Sequence, residues 1–193
     1  MMSKLRTSLL LLAVGLIVVS IVGISATSAG SKSAFTIRKV EKQVVLYTIY
    51  RGSYDKVGPA IGKLYALAGS KGVRPIGPMS HVYLNNPRLV TSQHWLTEIR
   101  VPVGKEALKL SGTLGEMTDV KTLPAMELAV AAKSKGQADP SSIYKELDAW
   151  ILKHGYYVTD APMEIFLSNS ETGDYAQMKT EIMFPISKTP GRK

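Results

Sequence analysis

Apolar residues follow two different periods along the first half of the chain. Residues 44–50 (VVLYTIY) are β-branched and aromatic, a composition typical of a strand. Apolar residues at 57–68 then recur at helical spacing, which predicts a helix. Its glycines make that helix intrinsically weak, so we expect packing to hold it. Residues 81–84 and 97–103 return to strand-like composition, and the predicted order is strand, helix, strand, strand.

The second predicted helix carries its own start and stop signals. Asp139 is suited to cap it, Pro140 to occupy its first turn and Gly155 to end it. Two strands follow, at 163–167 and 180–186. One apolar stripe along the helix predicts a buried face, formed by Ile143, Leu147, Trp150 and Ile151.

A repeat at an offset of 83 residues underlies this order. Residues 97–103 (TEIRVPV) match residues 180–186 (TEIMFPI). Single residues keep the same offset, namely Leu64 with Leu147, Leu67 with Trp150 and Gly72 with Gly155. One inserted residue aligns two further pairs, Pro78 with Pro162 and Gly52 with Gly136.

We therefore predict a duplicated strand–helix–strand–strand module. The copies span about 35–103 and 117–187 and are joined by a connection at 104–116. Strands with long returns favour an α+β fold in which an antiparallel sheet carries its helices on one face.

The N-terminal 26 residues are predicted to be a signal anchor or transmembrane segment. Residues 9–24 form an uncharged apolar run of 16 residues, preceded by Lys4 and Arg6. The positive-inside rule places the domain that follows outside the cytoplasm, tethered by a linker at 27–34. The small residues at 26–29 allow the alternative of a cleaved signal and a secreted product.

Composition excludes several classes of function. The chain of 193 residues contains no cysteine, which excludes thiolate metal sites, cysteine nucleophiles and disulfide scaffolds. The net charge of +9 is unevenly spread, because five cations lie at the two ends, Lys4, Arg6, Lys188, Arg192 and Lys193. Subtracting those five leaves +4, so we do not expect nucleic acid as a partner. Residues 188–193 are predicted to be a flexible tail.

The strands suggest a site for an organic ligand. Side chains alternate along a strand, so Glu164 and Phe166 share one face, as do His81 and Tyr83 in the other copy. A carboxylate beside aromatic rings suits an organic cation, because the carboxylate supplies charge and the rings supply cation–π contacts. Glu98 and Glu181 are weaker candidates, since duplication by itself explains why they match.

Motifs for enzymatic chemistry are scarce. The three histidines have no metal-ligand spacing, and neither a phosphate-binding glycine loop nor a G-x-S-x-G elbow occurs. We therefore predict no catalytic residues, no metal and no cofactor.

The motifs PMSHVYL and APMEIFL, followed by TEIRVPV and TEIMFPI, resemble the GyrI-like small-molecule-binding family. That domain also forms the effector-binding part of bacterial multidrug-responsive transcription regulators. The resemblance covers about 35–187 and implies two modules related by pseudo-twofold symmetry, with a ligand groove between the halves. It also implies binding of bulky, often cationic or aromatic compounds, with Glu164 as the pocket glutamate. A membrane segment precedes the domain here instead of a helix-turn-helix, so we do not expect direct transcriptional control.

These observations predict a membrane-tethered protein that binds a small hydrophobic or cationic organic molecule, as a monomer or weak homodimer. The expected ligand-binding residues are Glu164, Phe166, His81, Tyr83, Trp95 and Tyr65. Core packing is the alternative for Tyr65 and for Trp150, because aromatic residues at helical spacing are usually buried. Some family members are hydrolases, so the alternative function is hydrolysis of a reactive small molecule in the same groove. A haem or lipid carrier ranks third.

Overall fold

The computed structural model describes residues 35–133, 139–167 and 178–189. The predicted membrane segment at 1–26 and the linker at 27–34 lie outside these residues. No helix in the described part of the chain is long and apolar enough to cross a bilayer. The elements are β1 Phe35–Val40, β2 Gln43–Arg51, α1 Gly58–Ser70, β3 Ser80–Tyr83, β4 Leu96–Val103, β5 Thr118–Leu123, β6 Met126–Lys133, α2 Ser141–Lys153, β7 Tyr156–Val158, β8 Met163–Phe166 and β9 Thr180–Lys188.

All strands of the described part join one antiparallel sheet, which confirms the α+β prediction. The strand order is β1-β6-β9-β8-β3-β4-β2-β5, and the short β7 pairs with the end of β9. That pairing joins Tyr156 to Lys188. Lys188 therefore belongs to a strand, and its assignment to a flexible tail was wrong.

The duplication appears as equivalent elements at one fixed offset. Both ends of α1 and α2 differ by 83 residues, and so do both ends of β3 and β8. Alignment of the two copies therefore needs no inserted residue in this region, and Pro78 and Pro162 occupy neighbouring positions instead of equivalent ones.

The first copy contains one strand more than the sequence predicted, β1, and the second contains two more, β5 and the short β7. Two of these strands, β1 and β5, precede β2 and β6, and each pairs with the opposite copy: β1 with β6, and β5 with β2. They escaped prediction because they are edge strands, and β1 is largely exposed and has no clear apolar alternation. The exchange interlocks the two copies.

Each helix covers its own hydrophobic core on the same face of the sheet. Leu64 and Ala68 of α1 pack on β2 and β4, and Ile143, Leu147 and Ile151 of α2 pack on β6 and β9. Asp139 accepts a hydrogen bond from the Ser141 amide at 2.9 Å, which satisfies a donor in the first turn of α2. The two central strands, β3 and β8, lie between the two cores.

Candidate ligand-binding site

His81 and Glu164 lie on the two central strands of the sheet. They are register partners across β3 and β8, and the 83-residue offset also makes them equivalent positions of the two copies. Two equivalent residues that are also register partners must lie on the local twofold axis that relates the copies. Register pairs His81 with Ile99 and Glu164 with Ile182, two core residues on the helix side of the sheet. Both side chains therefore face the space between the two helices.

A cavity of about 1000 Å³ opens beside Glu164. Its walls come from both copies, as the predicted groove requires. The first copy supplies Tyr54, Tyr83 and the loop that follows β3, and the second supplies α2 and β8. The aromatic and charged side chains that line it are Tyr54, Tyr83, Arg88, Tyr144, Lys145, Asp148 and Glu164.

Glu164 is the buried acid of the cavity. The Tyr144 hydroxyl donates a hydrogen bond to its Oε1 at 3.1 Å, and Lys133 Nζ lies 4.0 Å from its Oε2. Burial raises the pKa of Glu164, while Lys133 and the hydroxyls of Tyr144 and Tyr83 act in the opposite direction. Lys133, Tyr144 and Tyr83 therefore favour the charged form of the Glu164 carboxylate.

Three tyrosines form the aromatic wall around this carboxylate. The rings of Tyr54 and Tyr83 lie 5.0 Å apart, and Tyr144 stands over Glu164 from α2. Burial raises the pKa of all three phenols, so they remain neutral hydrogen-bond donors at neutral pH. Such a wall offers ring faces and hydroxyls, and its carboxylate supplies the charge.

The structure places the six predicted site residues differently. Glu164 and Tyr83 line the cavity. His81 and Phe166 share the same face of the sheet and meet edge to face at 4.6 Å, both buried. Trp95 lies behind Tyr54, stacked on it at 4.3 Å. Tyr65 is 40% exposed on α1 and is not among the residues that line the cavity, so it matches neither the site nor the core expectation.

Sequence reasoning missed Tyr54, Tyr144 and Lys133. Tyr144 and Asp148 are four residues apart on α2, beside the apolar stripe, so helical spacing could have shown that they share a face. Tyr54 lies in a short 3-10 helix after β2, and Lys133 is the last residue of β6. No local pattern marks these two residues.

Glu98 and Glu181 belong to the opposite face of the sheet. Glu98 is bound by Arg100 and by Lys121, whose Nζ lies 2.6 Å away. Glu181 is held by Arg38 through two hydrogen bonds of 2.7 and 2.9 Å. The offset makes Lys121 equivalent to Arg38, so one ion pair occurs in both copies and ties each exchanged strand to the sheet.

Comparison of structures identifies the fold. No family model matches the sequence, and no curated protein matches it. The chain is similar to the C-terminal domain of EcmrR, with a TM-score of 0.63 and 17% identity over 81% of this chain and 99% of that one. It is also similar to EcmrR in its DNA complex, with a TM-score of 0.66 and 16% identity over 81% of this chain and 58% of that one. A hydrolase from Listeria innocua aligns with a TM-score of 0.59 and 16% identity over 79% of this chain and 91% of that one.

These likenesses establish a shared fold. They transfer no residue roles to this chain, because the identities are below one fifth. The chain spans 58% of the length of EcmrR in that complex. The fold is that of the EcmrR C-terminal domain, as the resemblance in the sequence motifs implied.

Proposed function

We propose that this protein is a GyrI-like binding protein for a small hydrophobic or cationic organic molecule. The observation that carries the proposal is the buried Glu164 among Tyr54, Tyr83 and Tyr144 on the wall of the cavity. A buried carboxylate is costly to maintain unless it is paired, and tyrosine faces attract cations while binding apolar groups. The volume, about 1000 Å³, is at the upper end of the range for small-molecule sites.

Two near-isosteric probes separate charge from shape. Methyltriphenylphosphonium is a cation, whereas triphenylphosphine oxide is neutral and differs by an oxygen in place of the methyl group. We expect Glu164→Gln to weaken binding of the cation roughly tenfold to more than a hundredfold, because the electrostatic attraction between the buried carboxylate and the phosphonium is lost. The oxide should lose far less.

Isothermal titration of both probes against wild type and Glu164→Gln measures this difference. Glu181→Gln is the matched control, because Glu181 lies on the opposite face of the sheet. Equal weakening of the two probes by Glu164→Gln would show a disturbed structure instead of a lost charge. Unchanged affinity for both would place Glu164 outside the site.

Hydrolysis of a reactive small molecule in the same cavity is the second candidate. The hydrogen bond between Tyr144 and Glu164 favours it, because it combines a potential base with a hydroxyl donor at 3.1 Å. The fold shared with a Listeria innocua hydrolase is compatible with it. Mass spectrometry of a retained ligand distinguishes the two: an intact ligand supports binding, and a product with one added water supports hydrolysis.

We also propose that the N-terminal segment tethers the domain to a membrane, with the domain outside the cytoplasm. The uncharged run at 9–24 behind Lys4 and Arg6 supports this proposal. The protein should stay in the membrane fraction after an alkaline carbonate wash. A soluble product that begins near residue 29 would instead support a cleaved signal.

A further inference from the structure

Lys133 and Glu164 form a buried ion pair beneath the cavity. Lys133 ends β6 and Glu164 lies in β8, with β9 between these strands. Each side chain is only 8% exposed, and the charged groups are 4.0 Å apart. Lys133 is not a lining residue, whereas Glu164 is. The ammonium therefore approaches the carboxylate from within the protein, and a ligand approaches it from the cavity.

The duplication shows that the fold does not require this pair. At the offset of 83 residues, Tyr50 occupies the position of Lys133 and His81 that of Glu164. Tyr50 donates a hydrogen bond to the Ser53 carbonyl, and burial lowers the pKa of His81 to about 4, so it is neutral at neutral pH. The same framework is thus filled by uncharged groups in the first copy.

The ion pairs on the opposite face behave differently, since Glu98–Lys121 recurs as Glu181–Arg38. A charge pair present in both copies is explained by architecture. One found in only one copy, buried and touching the cavity, needs another explanation. Removing two charges from water is costly, and apolar or neutral replacements are often no less stable.

We infer that Lys133 is a positioning residue that keeps Glu164 ionised and competes with a bound cation for it. This inference rests on the proposed function and states which residue controls the ionisation of Glu164 in the same site. The other titratable groups next to Glu164 are Tyr54, Tyr83, Tyr144 and His81, all neutral near pH 7. The charged residues Arg88, Lys145 and Asp148 also line the cavity, and they are unchanged in the variants used below. Lys133 is the charged partner of Glu164 in the described part of the chain.

Two opposite effects follow for Lys133→Met, which removes the charge and keeps most of the length of the side chain. Glu164 should hold its proton to higher pH, so the variant should bind cations less well on the acidic side. At pH values where Glu164 is ionised in both proteins, the repelling ammonium is gone and the variant should bind cations more tightly than wild type. The two affinity–pH curves should therefore cross, which mere loss of packing would not produce.

The ionisation of Glu164 can be measured without any ligand. Carbon-13 NMR of the glutamate carboxyl groups in the full chain, with Glu164→Gln to assign the signal, gives its titration midpoint. Lys133→Met should raise this midpoint by about one pH unit or more, a tenfold or greater gain in proton affinity. Lys121→Met is the control, because it breaks a lysine–glutamate pair on the opposite face and should leave the midpoint in place.

An unchanged midpoint in Lys133→Met overturns the inference. If that variant does not fold, Lys133→Arg keeps the charge, and its midpoint should stay near that of wild type; a clear rise would overturn the inference as well. Titration of methyltriphenylphosphonium between about pH 5 and pH 8 then tests the crossing, and parallel curves would contradict it. If wild type binds neither probe, the proposed function fails, while the NMR result still decides the role of Lys133.

Discussion

The indole of Trp95 stacks on the ring of Tyr54, with centroids 4.3 Å apart and planes inclined by 30°. Tyr54 lines the cavity, and Trp95 lies behind it. The indole nitrogen donates to the Val90 carbonyl at 3.2 Å, which fixes Trp95 to the loop between β3 and β4. Trp95 therefore supports the aromatic wall through Tyr54.

Loss of this support should weaken ligand binding. We expect Trp95→Ala to lower the affinity for methyltriphenylphosphonium about two- to tenfold, because a stacked pair is worth about 0.5–1.5 kcal/mol. Trp95→Phe should retain most of the affinity. Isothermal titration of the three proteins tests this, and equal affinities would show that Tyr54 needs no support.

The two equivalent ion pairs should differ in their effect on stability. Glu98 is buried between Arg100 and Lys121, so Glu98→Gln should lower the free energy of unfolding by about 3 kcal/mol. The Arg38–Glu181 pair is exposed on the arginine side, and Glu181→Gln should cost only about 0.5–1 kcal/mol. Urea unfolding measures both values. A larger loss in Glu181→Gln would reverse our view of which pair is desolvated.

Burial of His81 should make stability depend on pH. The pKa of His81 is lowered from 6.5 to about 4 by burial. Between these pH values His81 is protonated in the unfolded chain and neutral in the folded protein. The free energy of unfolding therefore falls as pH drops through this window. The contribution of neutral His81 to the free energy of unfolding is fully present above about pH 6.5. About 3 kcal/mol of it is lost near pH 4.

His81→Gln isolates this contribution, because Glu164 opposes it. The raised pKa of Glu164 means that the folded protein takes up that proton first, which adds stability as pH falls. Denaturation of both proteins between about pH 7 and pH 4.5 should show a steeper loss in wild type. Parallel curves would mean that His81 is protonated in the folded protein.

Division of the chain between the copies should prevent folding of either half. β1 pairs with β6 and β5 with β2, and the Phe35 ring of β1 lies 6.0 Å from the Trp150 ring of α2. A break within 104–116 leaves each half with an unpaired sheet edge and a partly uncovered core. We expect the halves to aggregate when expressed alone and to become soluble when expressed together. Two halves that are each soluble and folded would contradict the interlocked arrangement.

Local patterns were sufficient to predict both helices, their cores and the strands β3, β4, β8 and β9. The stripe of α2 packs as predicted, with Ile143, Leu147 and Ile151 buried and Trp150 packed against them. The glycine expected to end it, Gly155, has φ +75°, a conformation that favours glycine. These features depend on residues within a few positions of one another. Alternation likewise placed Glu164 with Phe166 and His81 with Tyr83. The register between β3 and β8 then showed that the two pairs share one face of the sheet.

Contacts set by strand order could not be predicted in this way. An edge strand such as β1 has few buried positions, so nothing in its own residues specifies that it pairs with the opposite copy. Lys133 meets Glu164 only because β9 lies between their strands in the sheet. The sequence alone determined which segments form helices and strands and which faces they bury, since side-chain periodicity is local. Only the tertiary structure decided which charges share the cavity, because electrostatic pairing depends on distances that the order of strands creates.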